Sequence, residues 1–98
     1  MPPERAWVHP DAIAEARAAR QWYEARNAET AEAFMAELDL ALERIEEAPR
    51  EWPPYLANTR RYLLRRFPFF VVFREANDRV EIVAVAHARR RPGYWLGR

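Results

Sequence analysis

The C-terminal part of the chain carries the residues best suited to handling phosphate. His87 is the one plausible histidine base, since an unperturbed imidazole exchanges its proton at about pH 6.5 and His9 sits at a helix start. Arg89, Arg90 and Arg91 follow it directly, and Tyr94 and Trp95 come soon after. Two further arginine pairs, Arg60/Arg61 and Arg65/Arg66, lie upstream. A guanidinium is a planar fork of donors that matches phosphate or carboxylate oxygens, and it does not deprotonate near neutral pH. These arginines can hold an anion but cannot act as bases. Tyr94 and Trp95 could stack on a nucleobase or plug the edge of a core. Arg65 or Arg66 is expected to contact phosphate or an acidic partner. His9 precedes a helix start and reads as structural. Trp52 and Tyr55, in a proline-rich loop, read as cover for the sheet. Glu51 lies near the expected rim with no assigned role.

Composition limits the alternatives. The chain has 98 residues, no cysteine and two histidines. Disulfides, thiolate metal sites and cysteine nucleophiles are excluded, and two distant histidines do not form a zinc site. The only glycines are Gly93 and Gly97, so there is no glycine-rich phosphate loop and no small-molecule cofactor is expected. The longest apolar stretch, Phe67 to Phe73, is too short to span a bilayer. The start, Met1 to Arg5, is not followed by an apolar run, and with no cysteine a cytoplasmic location is expected. All 16 basic residues are arginine. The net charge of +1 conceals a division between the halves. Residues 1–55 hold six arginines against twelve Asp and Glu; residues 56–98 hold ten arginines against three. Such a division points to an acidic or phosphate-bearing macromolecular partner.

The elements that must position these groups follow from periodicity. Residues 5–8 read as a short first strand. Pro10 and Asp11 suit a helix N-terminus, and a first helix is expected to about Arg26, burying Ala12, Ile13, Ala16, Ala19 and Tyr23. Asn27 to Glu29 form a break. Thr30 then reads as the cap of a second helix, from Ala31 to about Ala48, with Ala31, Phe34, Leu38, Ala41, Leu42 and Ile45 on its apolar stripe. After a rigid loop with Pro49, Pro53 and Pro54, the period changes to that of strands: 61–66, 69–74 and 80–87. Simple alternation puts Arg65 and Arg66 on opposite faces of one strand. It sets Val83, Val85 and His87 against Ile82, Ala84 and Ala86 in the last strand, which is apolar on both faces and so is expected inside the sheet. Residues 1–98 thus read as one α+β domain. A helical hairpin covers one face of a mostly antiparallel sheet of about four strands. The arginines are expected on the other face.

Two stretches resemble a known family. Arg65-Arg66-Phe67-Pro68-Phe69-Phe70-Val71-Val72-Phe73-Arg74 and Val80-Glu81-Ile82-Val83-Ala84-Val85-Ala86-His87-Ala88-Arg89-Arg90-Arg91-Pro92-Gly93-Tyr94-Trp95 look like the C-terminal half of RelE/ParE superfamily toxins of type II toxin–antitoxin systems. The order strand, two helices, three strands matches as well. The resemblance implies a cognate antitoxin that wraps and neutralises the toxin. It also implies one of two targets. RelE-like members cleave mRNA in the ribosomal A site, whereas ParE-like members inhibit DNA gyrase without known nuclease activity. Because His87, Tyr94 and the arginines coexist, mRNA cleavage is the expected activity, with gyrase inhibition as the alternative. The catalytic positions implied are Arg65 or Arg66, His87, Arg89 and Tyr94. RNA or antitoxin contacts fall to Arg60, Arg61, Arg90 and Arg91. The lysines of RelE-like toxins have no counterpart here; only Arg50, Arg60 and Arg61 could substitute.

Overall fold

The first helix starts where the sequence puts a proline. The computed structural model describes residues 6–98, and in it α1 runs Pro10–Glu24. His9 caps it, its ring nitrogen accepting the Asp11 N–H at 3.0 Å. The second helix, α2, is Ala28–Glu47 and begins three residues before the expected point. Its cap is Asn27, not Thr30: the Asn27 side chain accepts the Thr30 N–H at 3.1 Å. Asn caps as well as Thr, and Ala28, Glu29 and Thr30 all tolerate a first turn, so the earlier start satisfies more backbone groups. Ala31, Phe34, Leu38, Ala41 and Ile45 are buried along α2, as its period requires.

The sheet has four strands in the order β1-β4-β3-β2: β1 is Trp7–Val8, β2 Arg60–Leu63, β3 Phe69–Ala76 and β4 Arg79–His87. Of the expected first strand, Arg5 lies outside the described residues. The short β1 pairs with β4 in parallel, while β2–β3 and β3–β4 are antiparallel. β4 is therefore interior, which accounts for its two apolar faces. The β3–β4 hairpin closes through Asn77 and Asp78, both at positive φ (54° and 57°), as a two-residue hairpin turn with the right twist demands.

Two expectations fail here. Arg65 and Arg66 are not in a strand. β2 ends at Leu63, and Arg65 to Pro68 form the bend into β3. Glu37 on α2 accepts the backbone N–H groups of both arginines, and these bonds replace a strand ladder. The side-chain alternation of β4 also breaks. Val72 is paired with Ala84 and Phe73 with Ile82, so Val83 is the extra residue of a bulge. The bulge brings Ile82 to the same face as Val85, where both join the helix-side core with Ala12, Phe34, Leu38, Ile45, Tyr62, Val71 and Phe73. Val83 and Ala84 instead join Val72 and Trp95 on the opposite side.

That opposite side is not bare. The loop holding Tyr55 and the C-terminal segment holding Trp95 fold back over it, and Trp95 is fully buried. An aromatic with so much apolar area lowers the free energy by covering Val72 and Val83 rather than standing in water.

Candidate functional site

The arginines gather at one end of the sheet, not across its open face. Leu63 is paired with Phe70 and Phe69 with His87, so the end of β2, the start of β3 and the end of β4 lie together. The Ala88 N–H donates to the Pro68 carbonyl at 2.7 Å, tying the bend at 65–68 to the turn at 88–91. Arg65, Arg66, Arg89, Arg90 and Arg91 are thereby brought to one rim, and all five are exposed. Arg65, Arg89 and Arg91 form no ion pair among the described residues. Arg66 reaches Glu37 at 3.3 Å. Arg90 lies over the Tyr94 ring at 3.8 Å and stands 3.9 Å from Glu15.

At the opposite end of the sheet the arginines are paired with carboxylates. Glu81 is buried and accepts from Arg74, Asn77 and Arg79 at 3.1–3.3 Å. Burial alone would raise its pKa. The bonds from Arg74, Asn77 and Arg79 outweigh that and hold the carboxyl below its usual range. Arg50 is similarly paired with Glu75 at 3.1 Å.

His87 lies on the helix side of the sheet. Its ring meets Phe69 edge-on at 5.0 Å, and its Nδ1 accepts the Arg89 N–H at 3.0 Å. It lines a largely apolar groove of about 420 Å³ between α1 and the sheet end, with Glu15, Trp22, Tyr23, Phe69 and Arg90. Arg60 and Arg61 lie away from this rim. Arg60 donates to the Trp52 carbonyl at 2.6 Å and so anchors the proline-rich loop. Arg61 lies on the other face of the sheet, over the rings of Tyr55 at 4.4 Å and Phe70 at 5.2 Å.

Tyr94 is committed elsewhere. Its hydroxyl donates to Glu15 Oε2 at 2.6 Å. Burial, then the Glu15 hydrogen bond and charge, push the phenol well above its ordinary range. At neutral pH it is a fixed donor and not a base.

Glu15 organises this corner, and the sequence reading missed it. β1 is only two residues long, so it leaves the edge of β4 beyond Ile82 unpaired. Glu15 Oε1 accepts the Val85 N–H at 3.0 Å, and Arg98 donates to the Val83 carbonyl at 3.2 Å. Arg98 also donates to both Glu15 oxygens, at 2.9 and 3.1 Å. Burial disfavours the Arg98 charge, but Glu15 overcomes this and raises its pKa. A signal was available. Glu15 is three residues after buried Ala12 and four before buried Ala19, so a carboxylate sits on the core-facing stripe of α1.

Comparison with known proteins adds to this geometry. The family model described as "ParE toxin of type II toxin-antitoxin system, parDE" matches residues 8–92. Two curated relatives, both named Toxin ParE2 and from the CDC 1551 / Oshkosh and H37Rv strains of Mycobacterium tuberculosis, are 31% identical over 55 residues. The alignment covers 56% of this chain and 52% of each relative, so the chain spans about half the length of the curated relatives it matches. A solved structure of the chromosomal ParDE TA system from P. aeruginosa superposes with a TM-score of 0.76 at 17% identity, over 87% of this chain and 96% of that one. At that identity the likeness establishes the fold: helices first, then the mostly antiparallel sheet.

Proposed function

The chain belongs to the ParE toxin family of type II toxin–antitoxin systems, and from that premise we propose that it is the toxin of a ParDE-type module. In this reading a cognate antitoxin holds it inactive, and once free it inhibits DNA gyrase by binding, without chemistry of its own. The family match over residues 8–92 carries the proposal. An acidic antitoxin segment suits the rim of Arg65, Arg66, Arg89 and Arg91, since complementary charge speeds and orients docking.

The geometry favours gyrase inhibition over the mRNA cleavage expected from the sequence. Cleavage needs a group to take a proton from the 2′-hydroxyl, another to protonate the leaving oxygen, and cations at the phosphate. Tyr94 gives its hydroxyl to Glu15, and Arg66 leans on Glu37. Nδ1 of His87 is taken by the Arg89 N–H, which leaves Nε2 as its one ring nitrogen for another partner. The ring also faces an apolar groove, whereas Arg65 and Arg66 ride on the bend.

Two assays on the purified protein separate the readings. Inhibited supercoiling by gyrase, with intact mRNA on toeprinted ribosomes, is the expected pair of results. New mRNA ends at ribosomal A sites with unimpaired supercoiling would reverse the assignment and return His87, Arg65, Arg66, Arg89 and Tyr94 to catalytic roles.

A further inference from the structure

The face of the sheet turned away from the helices carries an apolar patch with one uncommitted cation at its centre. Leu56, Leu63 and Leu96 are 43%, 56% and 57% exposed, three of the six large hydrophobic side chains left in water among the described residues. The other three, Ile13, Trp22 and Leu40, are on the helices. The patch is continuous. Leu63 is the cross-strand partner of Phe70, and the Phe70 ring meets Tyr55 edge-on at 5.7 Å. Tyr55 in turn lies 6.0 Å from Trp95. A methyl group placed on Gly93 would lie 3.1 Å from Leu96 and 3.9 Å from Leu56, so those two side chains converge. The Arg61 guanidinium lies over the Tyr55 ring at 4.4 Å and the Phe70 ring at 5.2 Å, and its side chain makes no hydrogen bond or ion pair among the described residues.

We propose that this face is where the toxin grips its target, and that the occupant is a protein segment presenting a carboxylate flanked by apolar side chains. The proposal rests on the reading of the chain as a binding inhibitor and names the surface that does the binding. Exposed leucines clustered around a buried tryptophan have the make-up of an interface centre, where desolvation supplies the affinity. The guanidinium is already ordered by two aromatic faces, so little rotamer freedom remains to be lost when it meets a carboxylate. Nucleic acid is the poorer fit. Binding to a phosphate backbone scales with the number of cations in a row, and here one free cation sits among three leucines. The helix-side groove and the arginine rim remain open to the antitoxin at the same time.

The test uses the full chain with Leu63→Glu, Arg61→Gln, and Leu56→Ser with Leu96→Ser, each matched to wild type by its melting curve. Glu43→Gln, exposed on α2, is the control. Affinity for purified gyrase is read by interferometry and toxicity by growth arrest on induction. Leu63→Glu is expected to weaken binding roughly 30-fold or more, the scale of an interface hot spot, and Arg61→Gln roughly 10-fold. Growth arrest should fade in the same order while the control behaves as wild type. Folded variants that bind gyrase and arrest growth like wild type overturn the proposal. If wild type ignores gyrase but the patch variants still lose growth arrest, the face stands and the gyrase reading fails. The protein occupant is refuted if the variants instead lose affinity for short single-stranded RNA. It is likewise refuted if sedimentation shows a dimer of this chain that Leu63→Glu dissolves.

Discussion

Replacing Glu15 by alanine should unfold more than a surface ion pair would. The side chains of Glu15 and Arg98 are only 14% and 16% exposed. Glu15 accepts the Val85 N–H, the Tyr94 hydroxyl and two donors of Arg98. Charge-assisted bonds of this kind contribute about 1.5–3 kcal/mol each in isolation, but they share one carboxylate and do not add. The better guide is the cost of removing one partner of a buried pair, about 3–5 kcal/mol, because the Val85 amide and the Tyr94 hydroxyl lose their acceptor and Arg98 keeps only the Val83 carbonyl and the more distant Asp11. For a domain of this size each kcal/mol moves the midpoint by about 4–8 °C, so Glu15→Ala should lower Tm by roughly 15–30 °C. Glu15→Gln keeps an oxygen to accept the Val85 N–H but loses the charge and turns the other oxygen into an NH2 donor facing Tyr94 and Arg98, so a loss of at least half that size is expected. Circular dichroism melts measure both. Amide exchange supplies a local readout, with Val83 to His87 losing protection before the rest of the sheet. A Tm drop under about 4 °C for Glu15→Ala would refute the claim that this carboxylate closes the open edge of β4.

Other consequences can be checked in the same way. Glu37→Ala should cost about 1–3 kcal/mol, because the backbone N–H groups of Arg65 and Arg66 lose their acceptor, whereas Arg66→Ala should be near neutral, since that guanidinium is mostly in water; paired urea titrations compare them. The Glu81 carboxyl is depressed in the folded state, so the stability it contributes is fully present above the unfolded carboxylate pKa and is lost as pH falls through its folded value; Glu81→Gln should flatten the acid limb of the stability curve. Tyr94 is raised instead, so its contribution is fully present below the ordinary phenol pKa and is lost as pH rises through its higher folded value; ultraviolet titration should show a tyrosine ionising above the ordinary phenol range, and Tyr94→Phe should remove that step. Gly93 has φ of +80°, so Gly93→Ala should cost about 1–2 kcal/mol even if Leu96 swings aside, as a thermal melt would show.

Much of the fold was legible along the chain. The three- and four-residue recurrence from Ala31 to Ile45 can only bury one stripe of a helix. The run from Phe69 to Phe73 and the β-branched stretch from Val80 could only be strands, and Asn77-Asp78 between them could turn the chain. The candidate site was legible only in part. The arginines were found, but of those expected on the open face only Arg61 is placed there; Arg65, Arg66 and Arg89 to Arg91 lie in the bend and turn beyond the ends of β2 and β4, where strand alternation does not apply. Arg65 and Arg66 looked like strand because their type does not reveal that a glutamate 28 and 29 residues earlier would take their N–H groups.

The sequence by itself determined the quantities that are sums or local repeats: the number and type of elements, the excess of arginine after residue 55, and the lack of thiols. Only the tertiary structure decided which charges stay free. Glu15 meets Arg98 across 83 residues and Glu81 gathers Arg74 and Arg79, while Arg61, Arg65, Arg89 and Arg91 are left without carboxylates among the described residues. The reason is the steep fall of electrostatic attraction with distance and solvent exposure. An arginine is neutralised or available according to which carboxylate the fold brings within a few ångströms, and that distance is set by packing, not by sequence separation.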